Sequence, residues 1–267
     1  MTLFAIVLVA AIQGITEFLP VSSSGHLIIL PAITGLDDQG QAIDVAVHVG
    51  TLFAVMLYFR SDVKSIFGGM RRLATGKMDT LGSRLLLLLI LATIPVVCAG
   101  ALMKLSGLND SLRSISVVGW TTLIFGIVLW WSDQIGPVKK KGEDLTVKDA
   151  MIIGLWQAIA LVPGTSRSGI AITGARFLGY SRQEAARIAM LMSIPAIISS
   201  AGYLTLETIE GANTALLRDG AIAAAFSFLA ALLALRFMMT LLRTVSFTPY
   251  VIYRMFLGLL LLGIAYH

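Results

Sequence analysis

Eight apolar stretches divide the chain, and they are of two kinds. Six run almost without a polar residue: about 42–59, 85–103, 115–131, 188–206, 222–242 and 249–266. At 1.5 Å of rise per residue, a helix of about 20 residues covers the roughly 30 Å of hydrocarbon in a bilayer. Each of the six is therefore predicted as a transmembrane helix. The other two, 3–30 and 150–178, are apolar but interrupted. Gln13, Glu17, Pro20, three serines at Ser22–Ser24, Gly25 and His26 break the first. Gln157, Pro163, Gly164, Thr165, Ser166, Arg167 and Ser168 break the second. Irregular backbone survives at membrane depth only where protein or water covers it. Both stretches thus read as re-entrant hairpins, two short helices around a polar turn that enter and leave on one side.

Charge tests this layout. With the first hairpin on side A, three spans carry the chain to side B, the second hairpin hangs from B, and three more spans return to A. Side B then receives Arg60, Lys64, Arg71, Arg72, Lys77, Arg84, Lys139–Lys141, Lys148, Arg176, Arg182, Arg187, Arg236, Arg243 and Arg254; side A receives Lys104, Arg113 and Arg218. Arg167 stays inside the membrane. Sixteen against three makes B the cytoplasmic side, because basic loops are retained there. Eight conventional spans would spoil the asymmetry. The expected architecture is an all-α polytopic membrane protein: a single domain over 1–267 with six full spans and two re-entrant hairpins. An odd number of spans between hairpins makes it an inverted repeat, about 1–132 and 148–267. The halves echo each other weakly, Gln13-Gly-Ile-Thr-Glu-Phe-Leu-Pro-Val-Ser-Ser-Ser-Gly25 against Gln157-Ala-Ile-Ala-Leu-Val-Pro-Gly-Thr-Ser-Arg-Ser-Gly169. Such repeats place their site near the midplane, between the broken helices.

Composition agrees: 57% of residues are hydrophobic and 13% charged, against about 25% charged in a soluble domain. The first basic residue is Arg60, so the apolar N-terminus lacks the basic flank of a signal peptide and is expected to be mature structure. The net charge of +5 follows from the side-B loops and implies no nucleic acid. Cys98, the only cysteine, is expected to pack rather than react. The tryptophans, Trp156 included, suit interfacial anchoring.

Glu17 and Arg167 are the charges set deep in the two breaks. A charge at the bilayer centre costs about 2.5–3.5 kcal/mol on insertion scales and is usually functional; a structural pair tying the hairpins together is the plainer alternative. Ser22 or Ser23 is placed to cap one helix, Thr165 or Ser166 another. Helix starts present free N–H groups and a positive dipole end. Two of them converging beside the planar donors of Arg167 make a phosphate or diphosphate the natural guest. The phosphate-binding set is then Arg167, Ser166, Ser168, Thr165, Gly164 and Ser22, although small residues also serve close helix packing. Ser23 and His26, three apart, share a helical face and could form a nucleophile and general base. Gln13 and Glu17, four apart, could hold a hard divalent cation, Mg2+ or Ca2+, with phosphate oxygens, or could orient His26 or a water. Asp44 and His48 repeat that spacing at the start of the first span and are expected to be an ordinary interfacial pair.

With these residues laid out, the chain resembles the bacterial undecaprenyl-diphosphate phosphatases, the family associated with bacitracin resistance. Gln13-Gly-Ile-Thr-Glu17 matches an (E/Q)-x-x-x-E motif, the block continues through Ser-Ser-Ser-Gly-His26, and Pro163-Gly-Thr-Ser-Arg-Ser168 matches a second motif. One position departs: Ala171 stands where that motif has a threonine, and Thr173 lies two residues further on. The resemblance covers essentially the whole chain. It implies hydrolysis of a polyprenyl diphosphate to the monophosphate and phosphate, recycling the lipid carrier of peptidoglycan. It also implies divalent-cation dependence, a multi-pass protein of the bacterial inner membrane, and a site reached from the periplasm, and it is compatible with a homodimer. Glu17, Ser23, His26 and Arg167 are the catalytic candidates, with serine, histidine or water as the nucleophile. The alternative is an inverted-repeat secondary transporter or lipid flippase with a midplane anion site, which would move its substrate without releasing phosphate.

Overall fold

The computed structural model describes residues 2–35, 39–107, 112, 114–136, 138, 140–208 and 214–267, and among these the chain is helical without a strand. Six helices are long and apolar enough to cross a membrane: α3 (Gly40–Tyr58), α5 (Leu81–Ser106), α6 (Ile115–Ile135), α9 (Arg182–Thr208), α10 (Thr214–Leu241) and α11 (Thr248–Tyr266). They are the six expected, most of them longer at one or both ends. In α5 the helix takes in Arg84 and Lys104, starts at a Thr80/Ser83 capping box and stops at left-handed Gly107. Long basic side chains reach past the hydrocarbon edge, so a charge near a span's end does not terminate it. The spans present Phe53, Ile90, Leu102, Leu233, Phe237 and Phe256 outward, as lipid-facing helices must.

Four short helices form the two broken stretches: α1 (Leu3–Thr16) with α2 (Ser23–Thr34), and α7 (Val147–Ala158) with α8 (Arg167–Phe177). The first helix of each pair lies along a span. α1 packs on α10 and α7 on α5, each through a glycine. A β-carbon on Gly14 would meet Ala230 Cβ at 2.7 Å, and one on Gly154 would meet Ala92 Cα at 3.0 Å. α8 is enclosed by α6, α7 and α9, and every residue from Ser168 to Arg176 is buried. The main core runs alongside it, from Leu88 and Ala92 of α5 through Ala171 and Ala175 of α8 to Leu191 of α9 and Leu235 of α10.

A helix the apolar pattern did not announce, α4 (Arg60–Ala74), follows the first span directly. It carries Arg60, Lys64, Arg71 and Arg72 and lies against α5. Its residues alternate with helical rather than continuous apolarity, so a search for long apolar runs passes over it.

Ion pairs gather at the end of the bundle where the basic residues cluster. Asp133 binds Arg182 at 2.7 Å and Arg176 at 3.2 Å and accepts the Phe247 N–H at 3.1 Å. Asp149 binds Lys140 at 2.9 Å, and Arg187 pairs with Asp62 of α4. Three expectations need correction. Arg254, counted among the side-B surface charges, is fully buried between α6 and the second break. Cys98 is exposed on the outer face of α5 rather than packed. Trp156 packs on Phe177, ring centroids 5.7 Å apart, and against Gly174, so it joins α7 to α8 instead of anchoring an interface. Arg113 and Lys139, part of the charge asymmetry, lie outside the described residues.

Candidate active site

Both breaks turn on the same local device. Ser22 and Ser166 are the only non-glycine residues at positive φ among those described, at 74° and 70°. Each caps the helix after it: Ser22 Oγ accepts Gly25 N–H at 3.4 Å, and Ser166 Oγ accepts Gly169 N–H at 3.2 Å. Each cap also touches the serine two residues on, Ser22 with Ser24 at 3.1 Å and Ser166 with Ser168 at 3.2 Å. A non-glycine residue in this region is strained by about 1–3 kcal/mol and persists only where its surroundings over-determine it. What holds these two is largely each other. Ser24 Oγ accepts the Gly164 N–H at 3.1 Å, and Ser168 Oγ donates to the Leu19 carbonyl at 3.1 Å. The same serine of each turn fastens the opposite break, so the two breaks lie against one another.

Glu17, the C-cap of α1, accepts from three side chains. Arg167, the first residue of α8, pairs with its Oε1. Gln13 Nε2 donates to Oε2 at 2.7 Å and Ser23 Oγ donates to the same oxygen at 2.9 Å; His48 Nε2 stands 3.9 Å away. Glu17 is buried, Gln13 is inaccessible, and the Arg167 side chain keeps 21% of its surface exposed. Glu17 and Arg167 thus meet directly, the contact expected of the plainer reading in which the pair ties the two breaks together.

The expected Ser23–His26 pair is not made. Ser23 bonds to Glu17, while His26 Nδ1 donates to the Ser22 carbonyl at 2.7 Å and Nε2 lies 2.6 Å from Tyr253 Oη. A carbonyl can only accept, so in neutral His26 the proton sits on Nδ1 and Nε2 accepts from the Tyr253 hydroxyl. The physical reason is the cap. With Ser22 as the left-handed residue, Ser23 opens the helix toward Glu17 and His26 bonds back to its own first turn.

His48 joins the site from α3 instead of resting at the interface. Its Nδ1 donates to the Asp44 carbonyl at 2.6 Å, leaving Nε2 to accept from Gln13 Nε2 at 3.1 Å. Its partner at that spacing is therefore Asp44's backbone, not its carboxylate. With both N–H groups of Gln13 directed at His48 and Glu17, its Oε1 is buried without a partner among the described residues. Gln13, Ser23, Ser24, His48, Asp44 and Pro163 line a cleft of about 540 Å³, together with Leu27 and Pro31 of α2 and Gln39 and Gln41 at the start of α3.

Behind the second break, α6 and α11 hold its carbonyls. Thr121 Oγ1 donates to the Pro163 carbonyl at 2.6 Å, Thr122 Oγ1 to that of Gly164 at 3.2 Å, and Arg254 Nη2 to those of Gly164 and Thr165 at 3.1 and 3.0 Å. Gly164 takes φ +89°, a conformation open to glycine at no steric cost. Sequence reasoning missed Thr121, Thr122, His48, Tyr253 and Arg254; each sits in an otherwise ordinary span, and only tertiary packing brings it here. At the departure from the family motif, Ala171 lies in the apolar core, and the hydroxyl of Thr173 bonds to the Gly169 carbonyl at 2.8 Å. Thr173 therefore does not replace the missing threonine.

The donor set suits a cation recruited together with a phosphate. No cluster of three or more His, Cys, Asp or Glu able to hold a metal occurs among the described residues. Mg2+ is typically held by one or two carboxylates plus substrate oxygens rather than by a protein cage. Glu17 and the orphaned Gln13 Oε1 are the groups that could serve, the Glu17 oxygens already accepting from Arg167, Gln13 and Ser23.

Membrane-length helices enclosing charged and hydroxyl side chains at paired helix breaks define a multi-pass integral membrane protein with an internal polar site. The chain belongs to the bacitracin resistance protein BacA family, whose profile matches residues 6–260. It is 63% identical over 266 residues to an undecaprenyl-diphosphatase of Ruegeria pomeroyi, with each chain covered in full. A Dinoroseobacter shibae undecaprenyl-diphosphatase matches at the same identity and coverage. Undecaprenyl-diphosphatase 1 of Rhodospirillum rubrum is 45% identical over 272 residues, covering all of this chain and 96% of that one.

Proposed function

We infer that this protein hydrolyses undecaprenyl diphosphate to undecaprenyl phosphate and inorganic phosphate, and so recycles the lipid carrier of cell-wall synthesis and confers bacitracin resistance. The observation that carries the inference is the direct meeting of Glu17 and Arg167 across the two breaks, in a chain whose full-length relatives bear that activity in their names. A transporter or flippase has no comparable support.

The chemistry follows from the contacts. Ser23 Oγ attacks the terminal phosphorus and its proton passes to Glu17 Oε2, to which it is already bonded at 2.9 Å. The bond to the bridging oxygen breaks, undecaprenyl phosphate leaves, and the phosphoryl group rests on Ser23. Water then attacks the phosphoserine, returning the proton to Ser23 and freeing phosphate. Arg167 and the first-turn N–H groups of α8 hold the charge on the transferring phosphoryl oxygens, the kind of preorganised positioning that supplies most of the rate in phosphoryl transfer. The carboxylate takes the proton-accepting role first assigned to His26. His26 instead braces the turn of α2 through Ser22 and Tyr253. A divalent cation, when bound, supplies Lewis-acid charge on the phosphate oxygens; Glu17 and Gln13 would hold it.

The broken pairs are proposed to be re-entrant and related as an inverted repeat. Tyr180, just after α8, donates to Asp149 at the start of α7 at 2.7 Å. Ile6 of α1 and Leu30 of α2 share one cluster, so each pair returns toward its own starting end. The exchange of partners, α1 on α10 and α7 on α5, is the reciprocity such a repeat produces. Positive-inside charge then puts the ion-paired end in the cytoplasm of the inner membrane and opens the cleft toward the periplasm.

Incubating the purified protein in detergent with undecaprenyl diphosphate, with and without chelator, tests the function. One phosphate per lipid, lost on chelation, is expected. Lipid binding with no phosphate released would overturn the assignment.

A further inference from the structure

Arg254 is the largest anomaly that hydrolysis by Ser23 leaves unused. It is fully buried, and its hydrogen bonds go to peptide carbonyls: Thr122 at 3.1 Å, Gly164 at 3.1 Å and Thr165 at 3.0 Å. Its Nη1 has no partner among the described residues. The other buried or half-buried arginines near it in kind have carboxylates: Arg167 has Glu17, Arg176 and Arg182 share Asp133, and Arg187 has Asp62. Arg254 forms no ion pair among the described residues. An unpaired buried cation is costly, and in a membrane segment such a residue is by default functional.

Its position makes the cost larger still. A β-carbon built on Gly169 would lie 3.0 Å from Nη1, which places the free end of the guanidinium against the first turn of α8. That is the positive end of the helix dipole, where a cation is disfavoured and an anion favoured. Neutral donors would satisfy the carbonyls of Gly164 and Thr165 equally well, as Thr122 does for Gly164 itself and Thr121 for Pro163. The charge itself is left without a use in the protein alone, and it sits behind the turn whose front carries Arg167.

We propose that Arg254 is a positioning residue and second cation of the phosphate site, drawing the carbonyls of Gly164 and Thr165 back from the cleft and compensating, with α8, the negative charge of a bound diphosphate. This rests on the hydrolase assignment for the same site. The substrate head carries the missing counter-charge, so Arg254 acts on diphosphate affinity through the turn and through its field rather than by contact.

The test compares Arg254→Lys and Arg254→Gln, one charged and one neutral; the lysine amine reaches toward the carbonyls of Gly164 and Thr165, and the glutamine amide reaches about as far as Arg254 Nε, which donates to Thr122. The probe is methylenediphosphonate, a non-hydrolysable diphosphate, read as an inhibition constant against lipid hydrolysis. Loss of at least about tenfold in affinity for the Gln variant, with about threefold or less for the Lys variant near neutral pH, is expected from a charge placed close to the anion. Equal affinity of the Gln variant and the wild type, in a wild type that hydrolyses the lipid, overturns the proposal alone. A wild type that neither hydrolyses the lipid nor binds the probe overturns the hydrolase assignment and this inference with it. Should the Gln variant not survive purification, the Lys variant decides. A buried amine loses its proton far more readily than a guanidinium. Its affinity relative to wild type must therefore fall as pH rises from about 6 to about 9, and a flat ratio refutes the role of charge.

Discussion

Glu17 is the residue on which the other side chains of the site depend, because one carboxylate accepts Arg167, Gln13 and Ser23 together. Glu17→Gln keeps the shape but replaces an acceptor-only group with one that must also donate. It removes both the charge that pairs Arg167 and the base that takes the serine proton, and phosphate release is expected to fall by at least about 10²-fold, the lower end of general-base effects. Ser23→Ala is expected to fall by a similar factor and to form no acid-stable phosphoprotein; near-normal turnover in that variant would remove the serine route and leave water as the nucleophile. Tyr253→Phe tests the assignment of His26 to the turn. It removes one hydrogen bond of 2.6 Å, worth about 0.5–1.5 kcal/mol, so the variant should melt slightly earlier yet keep turnover within about tenfold. A loss as deep as that of Ser23→Ala would mean His26 handles the reacting proton after all.

Among the elements, the two serine-capped turns set how α2 and α8 begin. Their φ of 74° and 70° separates the effects of glycine and alanine substitutions. Ser166→Gly relieves the left-handed strain and loses the cap, effects that nearly offset, so its unfolding midpoint in detergent should stay close to wild type. Ser166→Ala keeps the strain and loses the cap, and is expected to be less stable than the glycine variant by about 1–2 kcal/mol. Equal stability of the two would show that the turn relaxes. The echo between residues 13–25 and 157–169 looked slight as a string of letters; it is strong as geometry, because the matching serines occupy the same turn and fasten the opposite break. Pro20 and Pro163, one position out of register between the two halves, do not contribute to either cap. They belong to the differing approach of each chain to its turn, the second of which passes through a short 3-10 segment, Ile159–Leu161.

For the molecule as a whole, the proposed orientation makes a prediction about access. In a Cys98→Ser background, a cysteine at Gln41, in the cleft wall at the start of α3, should react with a membrane-impermeant maleimide added outside spheroplasts. A cysteine at Lys64 of α4 should react only in inverted vesicles. The reverse pattern would turn the protein over and place the diphosphate site on the cytoplasmic face. The ion pairs of Asp133 and Arg187 bind α4, α6, α8 and α9 together at the end expected to face the cytoplasm, and that of Asp149 with Lys140 fastens α7 to the loop before it. The cleft lies apart from this ion-paired end, and the substrate's apolar tail has lipid-facing helix surfaces beside it.

Apolar length and its interruptions, read from the sequence alone, determined the six spans, the two breaks and the setting of Glu17 and Arg167 within them, because a bilayer leaves a chain few ways to bury polar backbone and charge; that the two charges pair directly was one of two readings until the breaks were packed together. Local hydrogen bonding determined that serines would cap both turns. Which serine caps, and hence whether Ser23 faces Glu17 or His26, was settled only when the two breaks were packed against each other. The same holds for His48, Tyr253, Thr121, Thr122 and Arg254: each lies far along the chain from the residue it touches, and nothing in its own helix distinguishes it from a lipid-facing or loop neighbour. Spacing along one helix fixes which side chains share a face, but the approach of separate helices is set by close packing such as Gly14 on α10 and Gly154 on α5, and that packing decides which faces meet.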